Sequence, residues 1–280
     1  KSLRNNTTDA ESNDYFAVQS FTSDGFTTRN YSTGDNHVAW CWKAGGASIS
    51  NSDGSISSTI SANPEAGFSV VTYTGNLSGA TTATGQSVGH GLNSAPELIM
   101  YFNRGGATNR VVSIAGDNWS DTATLTGNTV TDYYSTYPMA APTDSVFYTN
   151  YMSGVNVNSN NHVAYCWHSV PGYSKIGTYT GTSGDITVNT GFRPIFVAVK
   201  AWSASGHWEI HDARRYPTLY DDTGLSKRLR WTDSSQEAQF NDSPINFTST
   251  GFVLDSSVSA NSYGDYDNNG VTYLYFAISE

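Results

Sequence analysis

Hydrophobic residues in this chain come in short runs, separated by clusters of Gly, Asn, Ser, Asp and Pro. Ser69-Val70-Val71-Thr72-Tyr73 is one run. Glu97 to Phe102 follows Pro96, and its counterpart Ile195 to Lys200 follows Pro194. Nearly continuous apolar runs of this length suit strands buried on both faces. Their spacing, with turn signals between, predicts antiparallel β-structure rather than βαβ units. The one helix-like stretch runs from Leu225 to Gln239.

The runs repeat. Asn36 to Trp42 reappears as Asn161 to Trp167, with Tyr165 in place of Trp40. Gly67 to Gly75 is echoed by Gly172 to Gly181, and Phe21 to Phe26 by Phe247 to Phe252. The last run, Tyr273 to Ile278, reads as a third version of His37 to Trp42. In that register Cys41 and Cys166 align with Ala277, a position that asks for something small rather than reactive. The expected fold is all-β, with duplicated antiparallel β-sandwich modules. Residues 1–43 are expected to be a closing half-module that continues an upstream domain. Residues 44–66, rich in Gly, Ser and Asn, read as a linker. Residues 67–168 form a first β module and residues 172–280 a second. The short joint Val170-Pro171-Gly172 favours modules packed together over beads on a string.

Composition narrows the function. Only 14% of residues are charged, and polarity comes from Ser, Thr, Asn and Gly. Tyr (18), Phe (12) and Trp (7) are abundant and favour strands. A net charge of −10 repels phosphate backbones and anionic lipid, so neither nucleic acid nor membrane insertion is expected. No apolar run approaches the roughly 20 residues of a spanning helix. No signal peptide is visible, and the start at Lys1 suggests a fragment or mature form. The two cysteines read as buried small residues in their own modules, not as a disulfide.

The set His37 to Gly46, Gly67-Phe68-Ser69 with Tyr73-Thr74-Gly75, Gly89-His90-Gly91-Leu92 with Pro96, and Tyr273 to Glu280 resembles an uncharacterised repeat domain of tailed (marine and cyanobacterial) phage virion proteins, of tail-fibre or appendage type. The resemblance covers nearly the whole chain. It implies a virion or extracellular location, other virion proteins as partners and a homo-oligomer, trimeric by analogy with phage fibres. It implies no catalytic residue.

Candidate chemistry is sparse. Tyr133, Tyr134, Tyr137, Tyr148, Asn150 and Tyr151 form a Tyr-rich pair of segments without a close match in the second module. Rings stack on sugar faces while hydroxyls and amides bond sugar hydroxyls, so these are the candidate ligand-binding residues for a host surface glycan. The same residue types suit contacts between subunits. Asp265, Asp267 and Asn269 match the opening of a Ca²⁺ loop, D-x-D-x-N-G, but Phe276 stands where its bidentate Glu would be. The alternative is a plain turn, and no other cofactor is expected. Glu209 and Asp212 could supply acid and base for a polysaccharide depolymerase. On a strand, however, Glu209 and His211 share one face and Asp212 the other, and Asp212 pairs more naturally with Arg214. His90 lies between glycines, with Thr190 at the matching place in the second module. The favoured function is host-surface (glycan) adhesion by a non-enzymatic structural protein. The alternatives are a depolymerase tailspike and a self-assembling extracellular sheath or decoration protein without ligand.

Overall fold

The computed structural model describes residues 2–13, 18–28, 36–78, 86–115, 119, 123–124, 139–220, 226–232, 237–240, 244–256 and 266–279. Among these there is no α-helix. In chain order the strands are β1 (Val18–Phe21), β2 (Phe26–Thr28), β3 (Ile49–Asn51), β4 (Ser58–Asn63), β5 (Phe68–Thr74), β6 (Gln86–Gly89), β7 (Leu98–Asn103), β8 (Val111–Ile114), β9 (Ala123–Thr124) and β10 (Val146–Thr149). There follow β11 (Asn161–Trp167), β12 (Ser174–Thr180), β13 (Ile186–Asn189), β14 (Pro194–Ala201), β15 (Trp208–Asp212), β16 (Ser226–Arg230), β17 (Ala238–Phe240), β18 (Ile245–Phe247), β19 (Gly251–Leu254) and β20 (Thr272–Ser279).

The strands build two large antiparallel sheets. One has the order β3-β4-β5-β11-β7-β8-β9, the other β12-β20-β14-β15-β16-β17. The cores of these orders, β5-β11-β7-β8 and β12-β20-β14-β15, are the same topology twice. A small sheet belongs to each: β10-β6 to the first, β13-β19-β18 to the second. The fold is therefore a duplicated, all-β sandwich assembly.

Alternation along the closing strands explains how the layers stack. Val163 and Trp167 of β11 join Leu274 and Phe276 of β20 in a central cluster between the two large sheets. The opposite parity, Ala164 and Cys166, faces Val88 and Phe147 of the first small sheet. In the second module Tyr273, Tyr275 and Ala277 face Phe252 and Leu254 of its small sheet in the same way. Strands covered on both faces have no polar side to show, so Leu98–Asn103 is buried throughout.

The turn before each closing strand is also built twice. The Gly75 amide donates to Asn160 O (2.8 Å), as the Gly181 amide donates to Val271 O (2.8 Å). The Tyr73 hydroxyl donates to Val155 O and the Tyr179 hydroxyl to Tyr266 O. A Cβ on Gly75 would stand 2.1 Å from Val157 O, and one on Gly181 2.1 Å from Asn268 O. Close backbone approach, not loop flexibility, requires glycine at both places.

Four expectations are corrected. Residues 44–66 are not a linker but carry β3 and β4, which extend the first large sheet beyond β5. Ile56 and Ile60 are buried there while Ser57 and Thr59 face solvent, so an exposed edge hides the strand behind a loop-like composition. The described part of Leu225 to Gln239 is not helical, since it supplies β16 and the first two residues of β17. Residues 36–42 are not a strand, although their sequence copies β11. They cross the mouth between the two large sheets, where the Trp42 ring meets Trp167 (6.2 Å), Phe196 (6.3 Å) and Phe276 (6.4 Å). Cys41 is consequently exposed, whereas Cys166 is buried, and both thiols are free. The hairpin β1–β2 pairs Phe21 with Phe26, the register by which β18–β19 pairs Phe247 with Phe252.

Candidate functional site

The inner-facing parity of β5 changes character half way. Phe68 and Val70 pack into the central cluster, but Thr72 is half-buried and Thr74 exposed. Cross-strand register extends this polar end sideways: Ser50 opposes Thr59, Thr59 opposes Thr72, and Asn161 opposes Thr74. Side chains directly opposite one another on one face are neighbours, so the row forms a continuous surface of hydroxyls and amides. With Asn51, Ser52, Ser57 and Arg104 it lines an open groove of about 530 Å³.

Local bonds hold the row. The Thr74 hydroxyl donates to Asn161 Oδ1 (3.2 Å), and the Thr72 hydroxyl to Thr59 O (3.3 Å). The Arg104 amide donates to Asn161 O (2.8 Å). The Arg104 guanidinium donates to both carboxylate oxygens of Glu11 (3.1 and 3.0 Å), which offsets its charge. The groove therefore offers donors and acceptors with little net field. Each hydroxyl can play either part, a match for a ligand that is itself rich in hydroxyls.

The residues singled out in the sequence lie elsewhere. Tyr133, Tyr134 and Tyr137 fall outside the described residues. Tyr148 sits half-buried in β10, Asn150 is buried and Tyr151 is half-buried. Because β10 pairs with β6 in the small sheet, these three belong to the outer side of the first module and not to the groove. The groove was invisible in the sequence because Thr and Ser at strand ends look like ordinary exposed positions. Only the register brings Ser50, Thr59, Thr72, Thr74 and Asn161 together.

Asp265 also falls outside the described residues. Asp267 and Asn269 lie in the turn that closes on Gly181, where Asp267 O accepts the Ser183 amide (2.9 Å) and the Gly270 amide donates to Gly181 O (2.9 Å). Burial, then Asp185, raises the pKa of the Asp267 carboxyl. Among the described residues no group of three or more His, Cys, Asp or Glu could hold a metal ion.

Glu209 and Asp212 diverge. Glu209 opposes Val199 and His211 opposes Val197, on the face of the second small sheet. Asp212 opposes Phe196, on the central face. The Glu209 carboxylate is fully buried and held by Arg228 (3.2 Å) and Arg230 (3.0 Å). Asp212 accepts from Trp40 Nε1 (3.0 Å), from the Arg214 amide (2.9 Å) and from Arg215 Nε (3.3 Å). Its ion-pair partner is Arg215 rather than Arg214, because the turn after β15 brings round the side chain three positions on. Two carboxyls on opposite faces of a sheet cannot flank one glycosidic bond.

The histidines have structural work. His90 Nδ1 accepts the Leu92 amide (3.1 Å) and Nε2 meets Thr143 O (3.2 Å). Burial lowers its pKa, against the raising effect of Thr143. At the matching place in the second module Thr190 bonds the opposite way, its hydroxyl donating to Phe192 O (2.8 Å). His162 Nε2 accepts the Val157 amide (3.1 Å), just as the Tyr273 hydroxyl oxygen accepts the Asn268 amide (3.0 Å). His162 stacks on Tyr73 at 5.3 Å and Tyr273 on Tyr179 at 5.1 Å. Burial drives the His162 pKa down to about 4. His211 is lowered to about 3, by burial first and then by Arg228 and Arg215. Its Nε2 pairs with the Tyr266 hydroxyl (2.9 Å).

Fold and groove define a duplicated all-β protein with a hydroxyl-lined sheet face. The chain belongs to the family described as Domain of unknown function (DUF7483), which matches residues 1–280. No curated protein and no solved structure matches it.

Proposed function

We propose that this chain is a structural module of a tailed-phage virion appendage that adheres to host-surface glycan. The observation that carries the binding half of this reading is the groove across β3, β4, β5 and β11, lined by hydroxyls, amides and one charge-paired guanidinium. Ser50, Thr59, Thr72, Thr74 and Asn161 of its lining stand on paired strands, so little ordering of these side chains is needed on binding. The virion setting rests on the motif resemblance, and the uncharged polar composition fits an exterior surface. In that setting the chain works as a homo-oligomer, trimeric as phage fibres are, beside other virion proteins.

The test is a glycan array probed with the purified chain, followed by titration of the strongest binder. Thr74→Arg fills the groove from an exposed position and is expected to abolish retention with an unchanged melting temperature. Asn161→Ala is expected to weaken binding by about tenfold, the effect of removing one or two hydrogen bonds. Silence across host polysaccharides, or binding indifferent to both substitutions, would remove the glycan reading.

A further inference from the structure

Residues 36–42 present a contradiction between sequence and environment. Their sequence is that of β11 but for one aromatic exchange. In β11 the outward parity His162, Ala164 and Cys166 is fully buried, and the equivalent Tyr273, Tyr275 and Ala277 of β20 are at most 5% exposed. The matching His37, Ala39 and Cys41 are all exposed. β11 is also paired along both edges, with β5 and β7, and β20 likewise with β12 and β14. No strand among the described residues pairs with 36–42.

The other parity is already placed. Trp40 and Trp42 pack on the central cluster, in the direction taken by Tyr165 and Trp167 of β11. Asp212 accepts from Trp40 Nε1, and the Arg215 guanidinium lies 5.7 Å from the Trp40 ring. The segment is thus held on its inner face, exposed on its outer face, and paired with no strand among the described residues. The hairpin that accompanies it is exposed too. Phe21 is 83% exposed, whereas its counterpart Phe247 is 3% exposed because β18–β19 is backed by β13 and a large sheet. Beside the segment an apolar cleft of about 520 Å³ opens between Phe21, Phe26, Trp40, Trp42 and Tyr165.

We propose that residues 18–28 and 36–42 belong to the closing half of a third module, and that this surface docks a β unit of the same repeat that supplies the opening strands and lacks a closing strand of its own. The occupant follows from what the sequence fits. A strand of this composition sits, twice in this chain, between a β5-type and a β7-type strand, with alternate residues buried on both sides. A second copy of the chain has no such slot free, since β5 and β7 flank β11 and β12 and β14 flank β20. The interaction is strand addition, in which main-chain bonds give affinity and the small outward residues Ala39 and Cys41 give fit. With the third sheet in place, three inward faces would meet at the Trp42, Trp167 and Phe276 cluster.

The experiment prepends a copy of residues 67–115, which carry β5 to β8, to the complete chain through a flexible Gly/Ser linker. Alkylation of Cys41 at neutral pH is followed by mass spectrometry, with buried Cys166 as the internal reference. Amide hydrogen exchange across 36–42 is the second measurement. In the fusion Cys41 labelling is expected to slow by about a hundredfold or more, the scale of enclosure in a cooperatively closed element, and the 36–42 amides gain protection. Ala39→Arg, at a position exposed in the unfused chain, is expected to restore both rates. Equal Cys41 and amide rates in fused and unfused chains would overturn the proposal, as would protection that survives Ala39→Arg. Concentration-dependent protection in the unfused chain alone would make a second copy the occupant and equally overturn it.

Discussion

His162 does in the first module what Tyr273 does in the second, and that difference gives this turn of the first module an acid sensitivity that the matching turn of the second lacks. Each accepts a turn amide and stacks on a tyrosine. Only the histidine can take up a proton. Its pKa is about 4 in the fold, against an ordinary 6.5, and that of His211 about 3. Between those values the unfolded chain binds protons that the folded chain refuses, so stability falls as pH drops below 6.5. At pH 5 each of the two histidines removes about 2 kcal/mol relative to neutral pH. The pair therefore removes about 4 kcal/mol, a large part of the roughly 5–15 kcal/mol of a typical domain. Urea unfolding at pH 7.5 and pH 5 measures the loss. His162→Tyr transplants the second module's solution and is expected to shrink the difference by about 2 kcal/mol, whatever it does to absolute stability. An unchanged pH difference in His162→Tyr would refute the assignment of a buried neutral imidazole at this turn.

Other outcomes are open to measurement. Gly75→Ala and Gly181→Ala force a Cβ against a carbonyl oxygen and are expected to cost about 2 kcal/mol or more each. Gly25→Ala, whose Cβ would meet only Thr22 Oγ1 at 3.7 Å, is expected to be near neutral, and thermal melts compare the three. Trp167→Ala empties the centre of the shared cluster and is expected to cost about 3–5 kcal/mol, lowering both modules' transitions together. Glu209→Gln leaves Arg228 and Arg230 facing a neutral amide in a buried site, and about 3–5 kcal/mol of destabilisation is expected by denaturant titration.

Much of the architecture was legible because burial on both faces leaves a strong mark. Runs such as Leu98 to Phe102 and Ile195 to Lys200 could only be central strands, and the copied Asn-His-Val-Ala-x-Cys-Trp marked the closing strand. The alternation that separates Glu209 from Asp212 is a property of any strand, and register bears it out. Edge strands left a fainter mark. β3 and β4 carry Ser, Thr and Asn on their solvent side, so their composition is that of a loop.

The sequence by itself determined that the chain is β-structured, that its scaffold occurs twice, and that Cys166 fills a small buried place equivalent to Ala277. Those properties depend on local alternation and on copied side chains, which travel with the residues. Tertiary structure alone decided that two large sheets share one core, that five polar residues from four strands line one groove, and that Asn36 to Trp42 exposes the face that its copy buries. Pairing across strands depends on which partners are present, and identical residues meet different fates when their partners differ.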